Sequence, residues 1–112
     1  MSKFTATISR EEIAKFCRRW KVRELALFGS ALRDDFGPDS DVDVLVTFAE
    51  GAEWGLFDHI QMQNELQTAL RRNVDLVSRR AVERSHNWLR RQEILNTAQV
   101  LFAAQEVVHA AG

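Results

Sequence analysis

The 112-residue chain has one cysteine, Cys17, so it can form no internal disulfide and has no thiol cluster to hold zinc. In a helical pattern a lone cysteine reads as a small buried hydrophobe rather than a nucleophile. Long apolar runs are missing as well. Nothing approaches the ~20 residues that span a bilayer, and the opening MSKFTATISREE has no apolar signal region. The expectation is a cytoplasmic protein without a membrane role. Charge of one sign is also scarce, with 15 Lys and Arg against 16 Asp and Glu, a net −1. A protein that held nucleic acid mainly by neutralising phosphate would be more basic. The arginine pairs at 18–19, 71–72, 79–80 and 90–91 read as solvated helix ends. His59, His86 and His109 share no metal-ligand spacing and read as structural or surface residues. With no repeat, linker or low-complexity segment, the chain is expected to be one domain over 1–112, with a core at about 9–102 and a frayed tail over 103–112.

What is present is an alternation of helical and strand patterns. Ser9-Arg10-Glu11-Glu12 has the form of a capping box, with Ile8 and Ile13 placed for a hydrophobic staple. The first helix then runs to about Trp20 and buries Ile13, Phe16, Cys17 and Trp20. The run 25-LALF-28 reads as a buried strand ending at Gly29, followed by a helical turn over 31–36 that Gly37-Pro38 stops. From Ser40 the period becomes two, and 44-VLVTF-48 reads as a strand buried on both faces. After a loop at 49–55 a second long helix is expected, with Leu56, Phe57, Ile60, Leu66, Ala69 and Leu70 as its stripe, Gln63 interrupting it and Asn73 ending it. A short strand, 74-VDLV-77, and a basic connection over 78–85 follow. A last helix from about Ser85 would bury Trp88, Ile94, Leu95, Ala98, Leu101 and Phe102. The expected class is α/β, or α+β: a small mixed sheet of about three strands covered by helices.

One stretch, 29-GSALRDDFGPDSDVD-43, does not reduce to scaffolding. Side chains two apart on a strand share a face, about 6.6 Å apart, so Asp41 and Asp43 present two carboxylates side by side. Such a pair repels itself unless a cation lies between. Mg²⁺ takes hard oxygen ligands, keeps waters and commonly joins carboxylates to phosphate. Gly29 lets backbone approach a ligand, and Ser30 adds a hydroxyl where the N–H groups of a helix start attract anions. Together they outline a phosphoryl- or nucleotidyl-transfer layout. Three blander explanations compete. A calcium loop over 39–50 fails at its sixth position, where Val44 replaces the required glycine. Capping or turn duty suits Asp39-Ser40 but leaves Asp41 and Asp43 unexplained. The third is a strand start kept wet by two acids, which leaves the Gly-Ser turn and the acid Asp75 on another strand as coincidences.

Gly29-Ser30, ten residues, then Asp41-x-Asp43 resembles the G-S-x10-D-x-D signature of the polymerase-β-like nucleotidyltransferase superfamily. With 74-VDLV-77, the stretch from 25 to 48 is similar to the minimal nucleotidyltransferases, or MNT proteins, and the likeness covers about residues 9 to 102. The resemblance implies that Asp41 and Asp43 bind a divalent metal, Mg²⁺ with Mn²⁺ as a substitute, and that Asp75 completes the site. It implies that Gly29, Ser30 and Arg33 meet the phosphates of ATP. Many relatives read G-S-x-A-x-G, whereas Leu32 and Asp34 stand here in place of the alanine and glycine. It further implies an antitoxin that moves AMP from ATP to a hydroxyl of a HEPN-domain toxin. Two alternatives stay open: a non-catalytic module that neutralises a partner by contact, and a small-molecule enzyme, for instance one acting on an antibiotic hydroxyl, working as a homodimer.

Overall fold

The computed structural model describes residues 8–29 and 41–104. Helix α1 spans Arg10–Arg19, and the hydroxyl of its N-cap Ser9 accepts from the amide of Glu12 at 3.3 Å. It buries Ile13, Phe16 and Cys17 at helical spacing, with Trp20 behind them. Strands β1 (Val22–Phe28) and β2 (Val42–Phe48) pair antiparallel. Helix α2 (Leu56–Leu70) leads to β3 (Val74–Ser78), which pairs parallel with β2. Two short helices follow, α3 (Arg79–Glu83) and α4 (Trp88–Thr97). A final strand, β4 (Gln99–Ala103), lies antiparallel against β1, giving a four-stranded sheet in the order β3-β2-β1-β4.

The sheet has a packed cluster on each side. One joins Ile13, Phe16, Cys17 and Trp20 of α1 and Met62, Leu66 and Leu70 of α2 to alternate strand residues, among them Leu25, Leu27, Val42, Val44, Val46, Val74 and Leu76. The other, smaller, joins Val82 of α3 and Ile94 of α4 to Ala26, Phe28 and Leu45. Residues Val44, Leu45 and Val46 are all buried because β2 is covered on both faces. The loop before α2 is anchored by Trp54, whose indole donates to the Trp20 carbonyl at 3.0 Å and stands edge-on to the Trp20 ring. Among the described residues no helix is long and apolar enough to cross a membrane.

Several sequence expectations need correction. The sheet has four strands, because 99-QVLFA-103 is a strand and not the end of the last helix. Leu101 and Phe102 are apolar at positions that fit either period, and docking on β1 decides between them. Ala103 pairs with Glu24 and the Ala104 amide donates to the Arg23 carbonyl at 2.8 Å, so these two residues belong to the sheet; residues 105–112 of the expected tail lie outside the described residues. The basic connection contains α3, capped by Ser78, and the last helix starts at Trp88 with Asn87 as its cap. Helix α2 ends at Leu70, where Arg71 takes a left-handed φ of 56°. Its buried stripe is Met62, Leu66 and Leu70, while Leu56 and Phe57 are 72 % and 85 % exposed. The face of α2 that packs on the sheet is set by Met62, Leu66 and Leu70, and at helical spacing Phe57 falls on the opposite side of the helix. The helical turn expected over 31–36 lies outside the described residues.

Candidate active site

Alternation along β2 and β3 decides where the acids go. Even-numbered Val42, Val44 and Val46, with Val74 and Leu76, face α1 and α2. Odd-numbered Asp43 and Asp75 therefore share the other face with Leu45 and Val77, which pack toward α3 and α4. Asp41 immediately precedes β2, in phase with Asp43. The register of the parallel pair sets Asp43 level with Asp75, and neighbouring strands lie about 4.8 Å apart. The apolar cover on that face does not reach this end of the sheet, leaving Asp41 and Asp75 exposed and Asp43 half-buried. Two acids that were 32 residues apart in sequence thus become neighbours.

Gly29 closes the third side. It follows β1, whose last residue Phe28 pairs with Asp43, and its φ is +68°. A Cβ built on Gly29 would collide with Oδ2 of Asp43 and stand 3.3 Å from its Cγ. The glycine therefore meets two needs, a left-handed backbone and room for a carboxylate. Ser30 and Arg33, the other phosphate-side candidates, lie outside the described residues, as do Leu32 and Asp34.

Among the described residues no three acid, imidazole or thiol groups converge closely enough to hold a metal ion by themselves. The acids instead form an open row of hard oxygen donors. Such a row suits Mg²⁺ or Mn²⁺, whose shells are completed by water and phosphate oxygens, and does not suit zinc, which takes a closed tetrahedron in structural sites. A cleft of about 590 Å³ opens elsewhere, at the opposite end of the sheet, lined by the 49–55 loop, His59 and Ser78–Arg80. It contains none of the three acids.

Cys17 and His59 are structural. Cys17 is 1 % exposed, and burial pushes its thiol up to about 12. His59 Nε2 lies 3.1 Å from the Leu76 carbonyl. Sequence reasoning missed the part played by Gln63 and Gln67, which accept hydrogen bonds from the β3 backbone on either side of Asp75. The signal was there, since Gln63 interrupts an otherwise apolar helical stripe.

The family described as "Nucleotidyltransferase domain" matches residues 10–101. The chain is 38 % identical over 65 residues to the protein adenylyltransferase MntA of Thermococcus cleftensis, a match that covers 58 % of this chain and 64 % of that protein, just under two thirds of its length. A solved structure provisionally named a minimal nucleotidyltransferase is 34 % identical, with a TM-score of 0.62 over 80 % of this chain and 86 % of that one. The fold is also that of the Shewanella oneidensis complex between a tri-AMPylated HEPN toxin and its MNT antitoxin, at 23 % identity, a TM-score of 0.58, and coverage of 90 % and 75 %. The left-handed Gly29, the level pair of strand acids and the family match over most of the chain agree, and the chain belongs to the nucleotidyltransferase-domain family, among its minimal (MNT) members.

Proposed function

We propose that this chain is a metal-dependent nucleotidyltransferase that moves AMP from ATP to a hydroxyl of a partner protein. The partner is a HEPN-domain toxin in the cytoplasm, which this chain neutralises as its antitoxin. The observation that carries the reading is the register of β2 and β3, which sets Asp75 level with Asp43 on the face Asp41 shares, beside Gly29. The names of the similar proteins support the acceptor class: one is a protein adenylyltransferase, another an MNT antitoxin bound to an AMP-carrying HEPN toxin.

Asp41, Asp43 and Asp75 would hold the metal, which supplies charge neutralisation for the triphosphate and for the leaving pyrophosphate. Gly29 and Ser30 offer backbone N–H groups and a hydroxyl to the β and γ phosphates, and Arg33 adds a cation. Held there, the α-phosphorus faces the acid row. The acceptor oxygen attacks that phosphorus in line, the bond to the bridging oxygen breaks, and pyrophosphate leaves. Asp75 takes the hydroxyl proton. Positioning and charge stabilisation supply most of the acceleration in phosphoryl transfer. The exposure of Asp41 and Asp75 leaves the acid row open to an acceptor carried on another macromolecule.

The test is incubation of the chain with α-labelled ATP, Mg²⁺ and a HEPN-domain protein from its own genome, followed by mass spectrometry of that protein. Addition of AMP to a hydroxyl residue is the expected result. Neutralisation of the toxin without any AMP gained would refute transfer and favour the contact-only module.

A further inference from the structure

Strand β3 is an edge strand, and among the described residues its outer rim is met by side chains of α2 and not by another strand. The outward amides are those of Val74 and Leu76, the two residues that flank Asp75. Val74 donates to Oε1 of Gln67 at 3.1 Å, and Leu76 donates to Oε1 of Gln63 at 3.4 Å. His59 adds a contact of 3.1 Å to the Leu76 carbonyl. His59, Gln63 and Gln67 recur every four residues on α2, a rise of about 6.0 Å. Residues two apart on a strand are separated by about 6.6 Å. The Gln63-to-Gln67 step on the helix therefore matches the Leu76-to-Val74 step between the two outward amides.

This arrangement has a specific load to resist. Asp43 and Asp75 are level with each other, and like charges so placed repel. Asp43 is held between neighbouring strands, whereas Asp75 rides on a five-residue strand with β2 on one side only. The two glutamines tether that strand to α2 along the edge β2 leaves unpaired, which fixes where the 74–76 backbone lies. Polar side chains placed at a half-buried helix face cost stability unless they are bonded, and these are bonded to the residues on each side of the acid.

We infer that Gln63 and Gln67 are positioning residues for nucleotidyl transfer, clamping the 74–76 backbone so that the Asp75 carboxylate stays aligned with Asp43. The inference rests on the proposed reading of Asp75 as part of the site. Supporting partners one step removed from the reacting groups typically carry ~10–100-fold in activity. Gln63→Leu with Gln67→Leu should therefore lower kcat for AMP transfer about 10–100-fold, with KM for ATP little changed. Gln67→Met, of similar length but without an acceptor oxygen, should lose as much rate as Gln67→Leu.

The experiment is a double-mutant cycle on single-turnover transfer from α-labelled ATP to the HEPN-domain protein, using both leucine substitutions with and without Asp75→Asn. Amide exchange of Val74 and Leu76 reports whether the bonds are lost, and the single Gln67→Leu variant carries the same test if the double variant does not fold. A clamp acting through Asp75 predicts that the leucine substitutions cost under about twofold once Asp75 is already asparagine, because the two changes then share one mechanism. An undiminished cost in the Asp75→Asn background would overturn the clamp, as would an unchanged rate alongside accelerated exchange. An Asp75→Asn variant that transfers AMP at the wild-type rate would instead refute the site reading itself, and the clamp with it.

Discussion

Gly29→Ala tests whether the glycine exists for its backbone alone or also to make room for Asp43. Its φ of +68° costs a residue with a Cβ about 1–2 kcal/mol. The added Cβ would also collide with Oδ2 of Asp43. Turning the carboxylate away from a staggered rotamer costs about 0.5–1.5 kcal/mol. The two together come to about 1.5–3.5 kcal/mol, against a total stability of roughly 0.05–0.15 kcal/mol per residue. The variant should fold, with its Tm lowered by roughly 10 °C. The second cost disappears when the carboxylate does. In an Asp43→Ala background Gly29→Ala should cost only its backbone share, leaving a coupling of about 1 kcal/mol. Urea titrations of the four proteins measure that coupling, and Mn²⁺ titration by electron paramagnetic resonance asks whether the displaced carboxylate also weakens metal binding. Equal costs in the two backgrounds would show that the carboxylate contact plays no part.

Asp41→Asn with Asp43→Asn should abolish the rise in Tm that Mg²⁺ and ATP together give the wild type, since a ligand bound only to the folded state stabilises by mass action; a preserved shift in the folded double variant would remove the metal site. Asp75→Asn should keep the fold and partner binding while AMP transfer falls by ~10²–10⁴, the usual worth of acid–base assistance, and equal AMP gain from variant and wild type would exclude Asp75 from the chemistry. For Cys17 the pH direction is fixed by burial, which raises the thiol from 9.0 to about 12, with Arg18 lowering it slightly. Between those values the unfolded chain has lost a proton that the folded chain keeps, so stability should fall as pH rises above about 9. A native thiol that reacts with a disulfide reagent at pH 8 as fast as the urea-unfolded chain would contradict that burial.

Much of the fold was legible because short-range signals agreed with long-range packing. Ser9 caps α1, and Ile13, Phe16, Cys17 and Trp20 form its buried face, where the periodicity put them. The core of β2 is buried on both sides, as a β-branched run without alternation implies. The last helix and β4 were not legible as separate elements. Leu101 and Phe102 satisfy a helical stripe as well as a strand, and only the docking of β4 on β1 fixes their conformation. Helix α2 misled for a related reason. Leu56, Phe57 and Ile60 have the right spacing for burial, but the register of the helix on the sheet is set by Met62, Leu66 and Leu70.

For the site, local sequence was enough to set the acid pair and the glycine turn. Asp41 and Asp43 share a face because a strand has period two, whatever surrounds it. Gly29 follows a strand and takes the left-handed backbone that glycine permits without penalty. Asp75 was different, since nothing within 74-VDLV-77 says which face it occupies or what lies beside it. The parallel register with β2 placed it level with Asp43, and the docking of α2 set Gln63 and Gln67 on either side of it. Periodicity is a property of the chain's own backbone and can be read from one segment. Register between segments is chosen by burial and hydrogen bonding across the whole sheet, so only the tertiary structure decides it.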